Sequence, residues 1–185
     1  MRTRKPRIAT GVAALGIALL ALAGCTPAEH ASQDGEHTVS EVEAEFGVGT
    51  TTFQDGTLVS PHLRIQITSA SVILPGETGN EYGEAPVLAF WYETTNLTGQ
   101  EVNPLTAWFT HFRVIQDQGT GAPSELTLGM VPDGSLANNQ STVIAEGETV
   151  ANAVSYTLLD AETPVELIAS DAVLNQIGSA LYPIQ

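Results

Sequence analysis

Positive charge is almost missing from this chain once its first seven residues are passed. No lysine follows Lys5, and beyond Cys25 only Arg64 and Arg113 are basic, while all 21 Asp and Glu residues lie in that stretch. Neutralising phosphates takes clustered Lys and Arg, so such a surface repels nucleic acid and anionic headgroups and attracts cations and basic partners. Cysteine is nearly absent as well. The single Cys25 allows no intrachain disulfide, so the folded part stands on its hydrophobic core alone. Catalytic signatures are lacking too: there is no G-x-S-x-G elbow, no H-E-x-x-H, no S-x-x-K and no phosphate-cradling glycine loop. No internal repeat recurs at the spacings of solenoids or propellers.

What is present begins at the N-terminus. Arg2, Arg4, Lys5 and Arg7 precede "IATGVAALGIALLALAG", residues 8–24, a run of 17 residues without a charge. A basic start, an apolar stretch and small residues before a cut read as a secretory signal over residues 1–24. Spanning a bilayer takes about 20 apolar residues, and Gly11 and Gly16 weaken that alternative further. The segment ends in "LAGC", residues 22–25, which resembles the lipobox of bacterial lipoproteins. The resemblance implies transfer of a diacylglyceryl group to the Cys25 sulfur and cleavage just before it. Acyl chains such as palmitate would then moor the chain to membrane lipid at the extracytoplasmic face of the cell membrane. Residues 25–56 are polar and acidic, the composition of a flexible tether, whose r.m.s. reach as a coil is roughly 30 Å. Within it "VSEVEAEF" carries a capping box, Ser40 with Glu43, for one short helix.

From residue 57 the chain reads as short strands between turns. "HLRIQITSASVIL" alternates, with Leu63, Ile65 and Ile67 on one face. In "VLAFWYETTN" alternation turns Leu88, Phe90 and Tyr92 to one face, the inward one by expectation, and Trp91 to the other, and "LTAWFTHFRVIQD" reads as a long strand with His111 in its middle. "LTLGMV" is a candidate short strand, and "STVIAEGETVANAVSYTLLD" reads as two strands about a turn at Glu146, Gly147 and Glu148. "PVELIAS" is a last strand, and residues 171–185 form a C-terminal tail or a short helix capped by Asp171. About seven strands over residues 57–170 with little helical periodicity point to an all-β, antiparallel sandwich, with a small barrel as the alternative.

Two blocks then carry a resemblance. "APVLAFWYETTNLTGQEVNPL" and "VIAEGETVANAVSYTLLDAETPVELIAS" are similar to the immunoglobulin-like domains of uncharacterised lipoproteins of Gram-positive bacteria. The matching positions are Thr95 and Asn96 in the first block, and Gly147, Val150, Tyr156, Leu158, Asp160, Pro164 and Val165 in the second. They are positions that maintain a fold, so the resemblance implies an immunoglobulin-like β-sandwich and no activity. Glu146 stands where a proline often precedes the glycine, and the acidic loop around Glu77 to Glu84 is unusually long.

Few residues offer chemistry. The loop "PGETGNEYGEAP" supplies Glu77, Asn80, Glu81 and Glu84, oxygen ligands suited to Ca²⁺, though without EF-hand spacing; a solvated acidic loop is the plainer alternative. His30 and His37, with Glu29, Asp34 and Glu36, could gather Zn²⁺ or Cu²⁺ only by ordering the tether. His62 and His111 fit structural roles better than that of a catalytic base. Trp108 suits the centre of a sandwich; Trp91 is open between burial in the core as well and an outward position, where it would offer an indole face for a sugar ring or a peptide. The expectation is a membrane-anchored, non-catalytic module that binds an envelope protein or a cell-wall fragment, with no cofactor. A calcium-binding envelope protein is one alternative, and an enzyme built from scattered carboxylates is another.

Overall fold

The computed structural model describes residues 50–184. Nine strands form two antiparallel sheets packed face to face. The first sheet has the order β1-β2-β3-β4-β7, from β1 (Thr52–Gln54), β2 (Thr57–Val59), β3 (Leu63–Ile73), β4 (Val87–Asn96) and β7 (Thr149–Thr157). The second has the order β6-β5-β8-β9, from β5 (Phe112–Gln116), β6 (Ser124–Glu125), β8 (Val165–Ser170) and β9 (Gln176–Tyr182). The all-β sandwich read from the sequence is the architecture observed.

Alternation drives the layering. Leu88, Phe90 and Tyr92 of β4 point into the core, flanked on the same face of the same sheet by Val154, Tyr156 and Leu158 of β7 and its end. In β3 the alternation changes phase. Leu63, Ile65 and Ile67 face inward, a bulge follows between Ile67 and Ser69, and Ala70 and Val72 then take over the core face. One extra residue moves every later side chain to the other face, so without the bulge Ser69 and Ser71 would be turned into the core.

Three expectations from the sequence are corrected. The fold begins inside the stretch assigned to the tether: "TFQDGTLV" is a hairpin whose two turn residues, Asp55 and Gly56, have φ of 49° and 74°, the geometry that a two-residue hairpin needs. The C-terminal stretch is neither tail nor helix but β9, hydrogen-bonded along β8 from Val165 to Ser170. The long strand assigned to "LTAWFTHFRVIQD" is instead α1 (Pro104–His111) followed by β5. Asn103 caps that helix by accepting from the Thr106 N–H at 3.0 Å, and Pro104 occupies the first turn, where its missing N–H costs nothing. Ala107, Trp108 and His111 then bury one helical face.

α1 closes the end of the sandwich at which β3 begins and β4 ends. Its Trp108 is fully buried, stacked among Phe90, Tyr92 and Phe112, with the indole N–H donating to the Tyr156 hydroxyl at 2.8 Å. His111 is therefore the last residue of a helix, buried rather than mid-strand. Its Nδ1 donates to the Ser170 carbonyl at 2.9 Å, since a carbonyl only accepts. Deeper in the core Asn152 faces Tyr92, and both Asn152 Nδ2 and Thr94 Oγ1 are buried without a partner among the described residues.

The rest of the 124–141 stretch also departs from expectation. β6 lies just before "LTLGMV", in which only Leu128 bridges to Tyr156. A short 3-10 helix occupies Gly134–Ser141, and of "STVIA" only Ile144 makes a bridge, to Val102. The stretch runs along the outer edge of β7. There Asn139 and Gln140 side chains donate to the Ala151 and Ala153 carbonyls, Gly129 N–H donates to Ser155, and Thr127 accepts from Thr157.

Candidate functional site

Trp91 lies on the outer face of the first sheet, packed against Ile73, Val87 and Ala89 and only half-buried. Two loops rise around it. On one side is the acidic 74–86 loop, and on the other the segment from Pro132 to Gly134. Together they enclose an open cleft of about 770 Å³ lined by Ile73, Glu77, Thr78, Trp91, Pro132 and Asp133 among others.

The acidic loop is built around Asn80, which is almost fully buried. Its amide donates to the Ile73 carbonyl at 3.2 Å and the Ala85 carbonyl at 3.0 Å, so it pins the two ends of the loop together. Its backbone N–H donates to the Glu77 carbonyl, while its carbonyl accepts from Gly76 and Gly83. Glu77 closes the first turn by accepting from the Leu74 N–H at 2.8 Å. Gly79, at φ 92°, sits so close to the Pro132 carbonyl that any side chain would collide with it, which locks the two walls of the cleft against each other.

Asp133 forms the opposing wall. Its carboxylate accepts from the Ser135 N–H at 2.9 Å and from the Ser135 hydroxyl at 2.6 Å. Those bonds, helped by the Trp91 side chain, hold its pKa below the ordinary carboxylate value, so the group is ionised at neutral pH. The cleft thus presents an indole between two carboxyl-bearing walls, with no basic residue in its lining.

Of the residues singled out from the sequence, Trp91 and Glu77 share this cleft. Glu81 and Glu84 lie exposed further along the loop and do not line it, and backbone N–H groups hold the Glu81 pKa below its usual value. Asn80 faces inward as a donor, so the loop does not gather the four oxygens expected of a calcium ligand set. Among the described residues no group of three or more His, Cys, Asp or Glu is placed to hold a metal ion. Cys25 and the tether histidines His30 and His37 lie outside the described residues. Pro132, Asp133 and Gly134 were missed; "PDG" reads as a turn, and nothing in the sequence brings it to Trp91.

A family model of a domain of unknown function, DUF5067, matches residues 39–171. The chain belongs to this family. The family domain accounts for both sheets except β9 and includes every wall of the Trp91 cleft. Among solved structures it is similar to a "putative lipoprotein" from Staphylococcus aureus subsp. aureus NCTC 8325, at 16% identity and a TM-score of 0.63, over 73% of this chain and 92% of that one. At that identity the likeness establishes a shared fold. No curated protein matches the chain significantly.

Proposed function

We propose that this member of the DUF5067 family is a lipid-anchored, non-catalytic binding module of the cell envelope, and that its Trp91 cleft takes a positively charged group of its ligand. The observation that carries the reading is the half-buried indole between Glu77 and Asp133 in a lining without a basic residue. Anchoring through Cys25 is supported by the lipobox-like "LAGC" and by the lipoprotein description of the Staphylococcus aureus protein that shares the fold. An ammonium or guanidinium group over the indole gains cation–π attraction of about 0.5–2 kcal/mol, and each carboxylate adds a charge-assisted hydrogen bond. A domain carrying so many carboxylates against two arginines also raises the local concentration of cationic groups before contact.

Two carboxyl groups in one cleft are also what a glycoside hydrolase needs, and that is the second reading. It requires one carboxyl to be protonated at working pH. Asp133 is held the other way, by Ser135 and Trp91, which favours binding over general-acid work.

The test is a titration of the mature chain in detergent micelles with a lysine-rich peptide, an arginine-rich peptide and their acetylated or citrulline counterparts, read by the Trp91 indole NMR signal. Saturable shifts for the cationic peptides are expected, with affinity falling at least tenfold in Trp91→Ala and several-fold in Glu77→Gln or Asp133→Asn. Equal binding of the neutral counterparts, or an unchanged affinity in Trp91→Ala, would overturn the assignment. Calorimetry with Ca²⁺ on the same sample tests the calcium alternative, which requires binding well below millimolar.

A further inference from the structure

We infer that the end of the sandwich closed by α1 is a membrane-docking face, with Val173, Leu174 and Phe109 seated in the headgroup boundary of the bilayer that holds the protein. The inference rests on the anchored reading above for what brings the bilayer near; the face itself is argued from the fold.

The turn between β8 and β9 is the first observation. Asp171 organises it: its carboxylate accepts from the Val173 N–H at 3.0 Å, the Asn175 N–H at 2.8 Å and the Asn175 amide at 3.0 Å, while its backbone N–H donates to the Asn175 carbonyl at 2.9 Å. The loop so fixed holds Val173 and Leu174 each 75% exposed, and Leu174 sits at φ 68°, a left-handed conformation that suits Gly or Asn and strains a leucine. Exposing two aliphatic side chains, one of them on strained backbone, stabilises nothing in the folded domain. A surface outside the domain would account for two adjacent ones held out by one ordered turn.

Neighbouring residues extend the patch. Leu174 shares a cleft of about 360 Å³ with Phe109, itself 43% exposed, and with Arg113 and His111. Val173 shares an adjoining pocket of about 300 Å³ with Pro61, His62, His111 and Thr51. Thr51 fixes the direction. It stands where the described fold begins, so the segment running back to Cys25 leaves from this end. A chain of about 25 residues spans roughly 28 Å as a coil, less than the roughly 36 Å length of an eleven-residue strand such as β3. The tethered end is therefore the one kept within reach of the bilayer.

Charge points the same way. The overall acidity repels an anionic membrane, but the repulsion is not uniform. Arg64 and Arg113 both lie at the α1 end, alongside Glu101, Glu125, Glu146, Glu148 and Asp171, whereas the loops at the opposite end carry Glu77, Glu81, Glu84, Asp117, Asp160 and Glu162 with no basic residue. The α1 end is repelled least, and arginines at a headgroup boundary keep their charge in water while their stems lie on apolar surface.

The experiment uses the mature lipidated protein in vesicles of phosphatidylcholine with 30% phosphatidylglycerol. An environment-sensitive fluorophore is placed at Ala172→Cys in one sample and at Tyr82→Cys, at the opposite end, in another. The label at 172 is expected to shift to the blue and to be quenched by lipid-borne quencher, while the label at 82 keeps its aqueous spectrum. Val173→Asp/Leu174→Asp is expected to abolish the response at 172. Leu174→Asn, which relieves the backbone strain, is expected to raise the melting temperature and yet weaken the quenching. Aqueous spectra at both positions would overturn the inference, as would a blue shift at 172 that needs no lipid and grows with protein concentration, the mark of a second copy on the face. Labelling of Cys25 itself in the wild-type chain would refute the anchor alone, and sedimentation of that unlipidated chain with the same vesicles, with and without Val173→Asp/Leu174→Asp, then decides the face.

Discussion

Replacing Asn80 by Ala removes the amide that closes the acidic loop and leaves the Ile73 and Ala85 carbonyls without that donor. Each hydrogen bond contributes about 1 kcal/mol net, and a buried carbonyl left unpaired costs about 1–3 kcal/mol more unless water reaches it. The expected loss is about 2–4 kcal/mol from a total that is about 5–15 kcal/mol for a domain of this kind. With a urea slope of about 2 kcal/mol/M, the unfolding midpoint should fall by about 1–2 M without a change of slope. Tryptophan fluorescence is the natural probe, because Trp108 reports the core and Trp91 the cleft that Asn80 supports. Asn80→Asp sharpens the test. A carboxylate there faces two carbonyls in a buried site, which raises its folded pKa above the unfolded value near 3.9. A raised folded pKa means that stability is full below about pH 4 and lost as pH rises, so this variant should be weaker at pH 7 than at pH 4. Wild type should move the opposite way. Hydrogen bonds to Thr163, Gln118 and Glu162 hold the Asp160 carboxyl well below its usual range, and bonds from Asn175 do the same for Asp171, so that contribution fades as pH falls below about 4. An Asn80→Ala midpoint within 0.3 M of wild type, taken at that slope of about 2 kcal/mol/M, would refute the claim that one amide organises the loop.

Four further outcomes are expected. Gly79→Ala should destabilise by more than about 1 kcal/mol and shift the NMR signals of residues 132–134, because its methyl group meets the Pro132 carbonyl on a backbone with positive φ. Trp108→Ala should cost about 3–5 kcal/mol by chemical denaturation, whereas Trp91→Ala should cost far less, since only Trp108 fills the core. Thr94→Val should be neutral or stabilising by up to about 1 kcal/mol, because it replaces a buried hydroxyl that has no partner with a methyl group of the same shape. Burial raises the pKa of Tyr92 and lifts that of Tyr156 to about 12, so the fold should lose stability as pH climbs past about 10, and ultraviolet titration should show these tyrosinates appearing with unfolding.

Period-two alternation made the strands of the sandwich readable, and it succeeded wherever one face is buried and the other wet. The start of β3 is the clearest case, with Leu63 and Ile65 buried and Arg64 and Gln66 exposed; in β4 and β7 Phe90, Tyr92, Val154 and Tyr156 lie on the expected face although much of the other face is covered too. It failed at "LTAWFTHF", because a helix that plugs a sandwich end buries Ala107, Trp108 and His111 at helical spacing that a run of aromatics and threonines also makes look like strand. The signal was nonetheless there, in Asn103 followed by Pro104. It failed again at β9, where Gly178 lies against Phe53 and the exposed Leu181 breaks the usual pattern of an edge strand. The candidate site was half legible. An outward Trp91 follows from alternation alone, whereas the wall from Pro132 to Gly134 arrives through contacts across the fold that no local spacing encodes.

One detail of the first sheet bears on life in a crowd. Successive carbonyls on the free side of β7, at Ala151, Ala153 and Ser155, are already taken by Asn139, Gln140 and Gly129 of the same chain. Molecules packed densely beside one another collide side-on again and again, and a bare strand would invite each neighbour to zip on and seed a fibre. Here the carbonyls along that flank are already engaged, so many copies can share a small area with little tendency to polymerise along it.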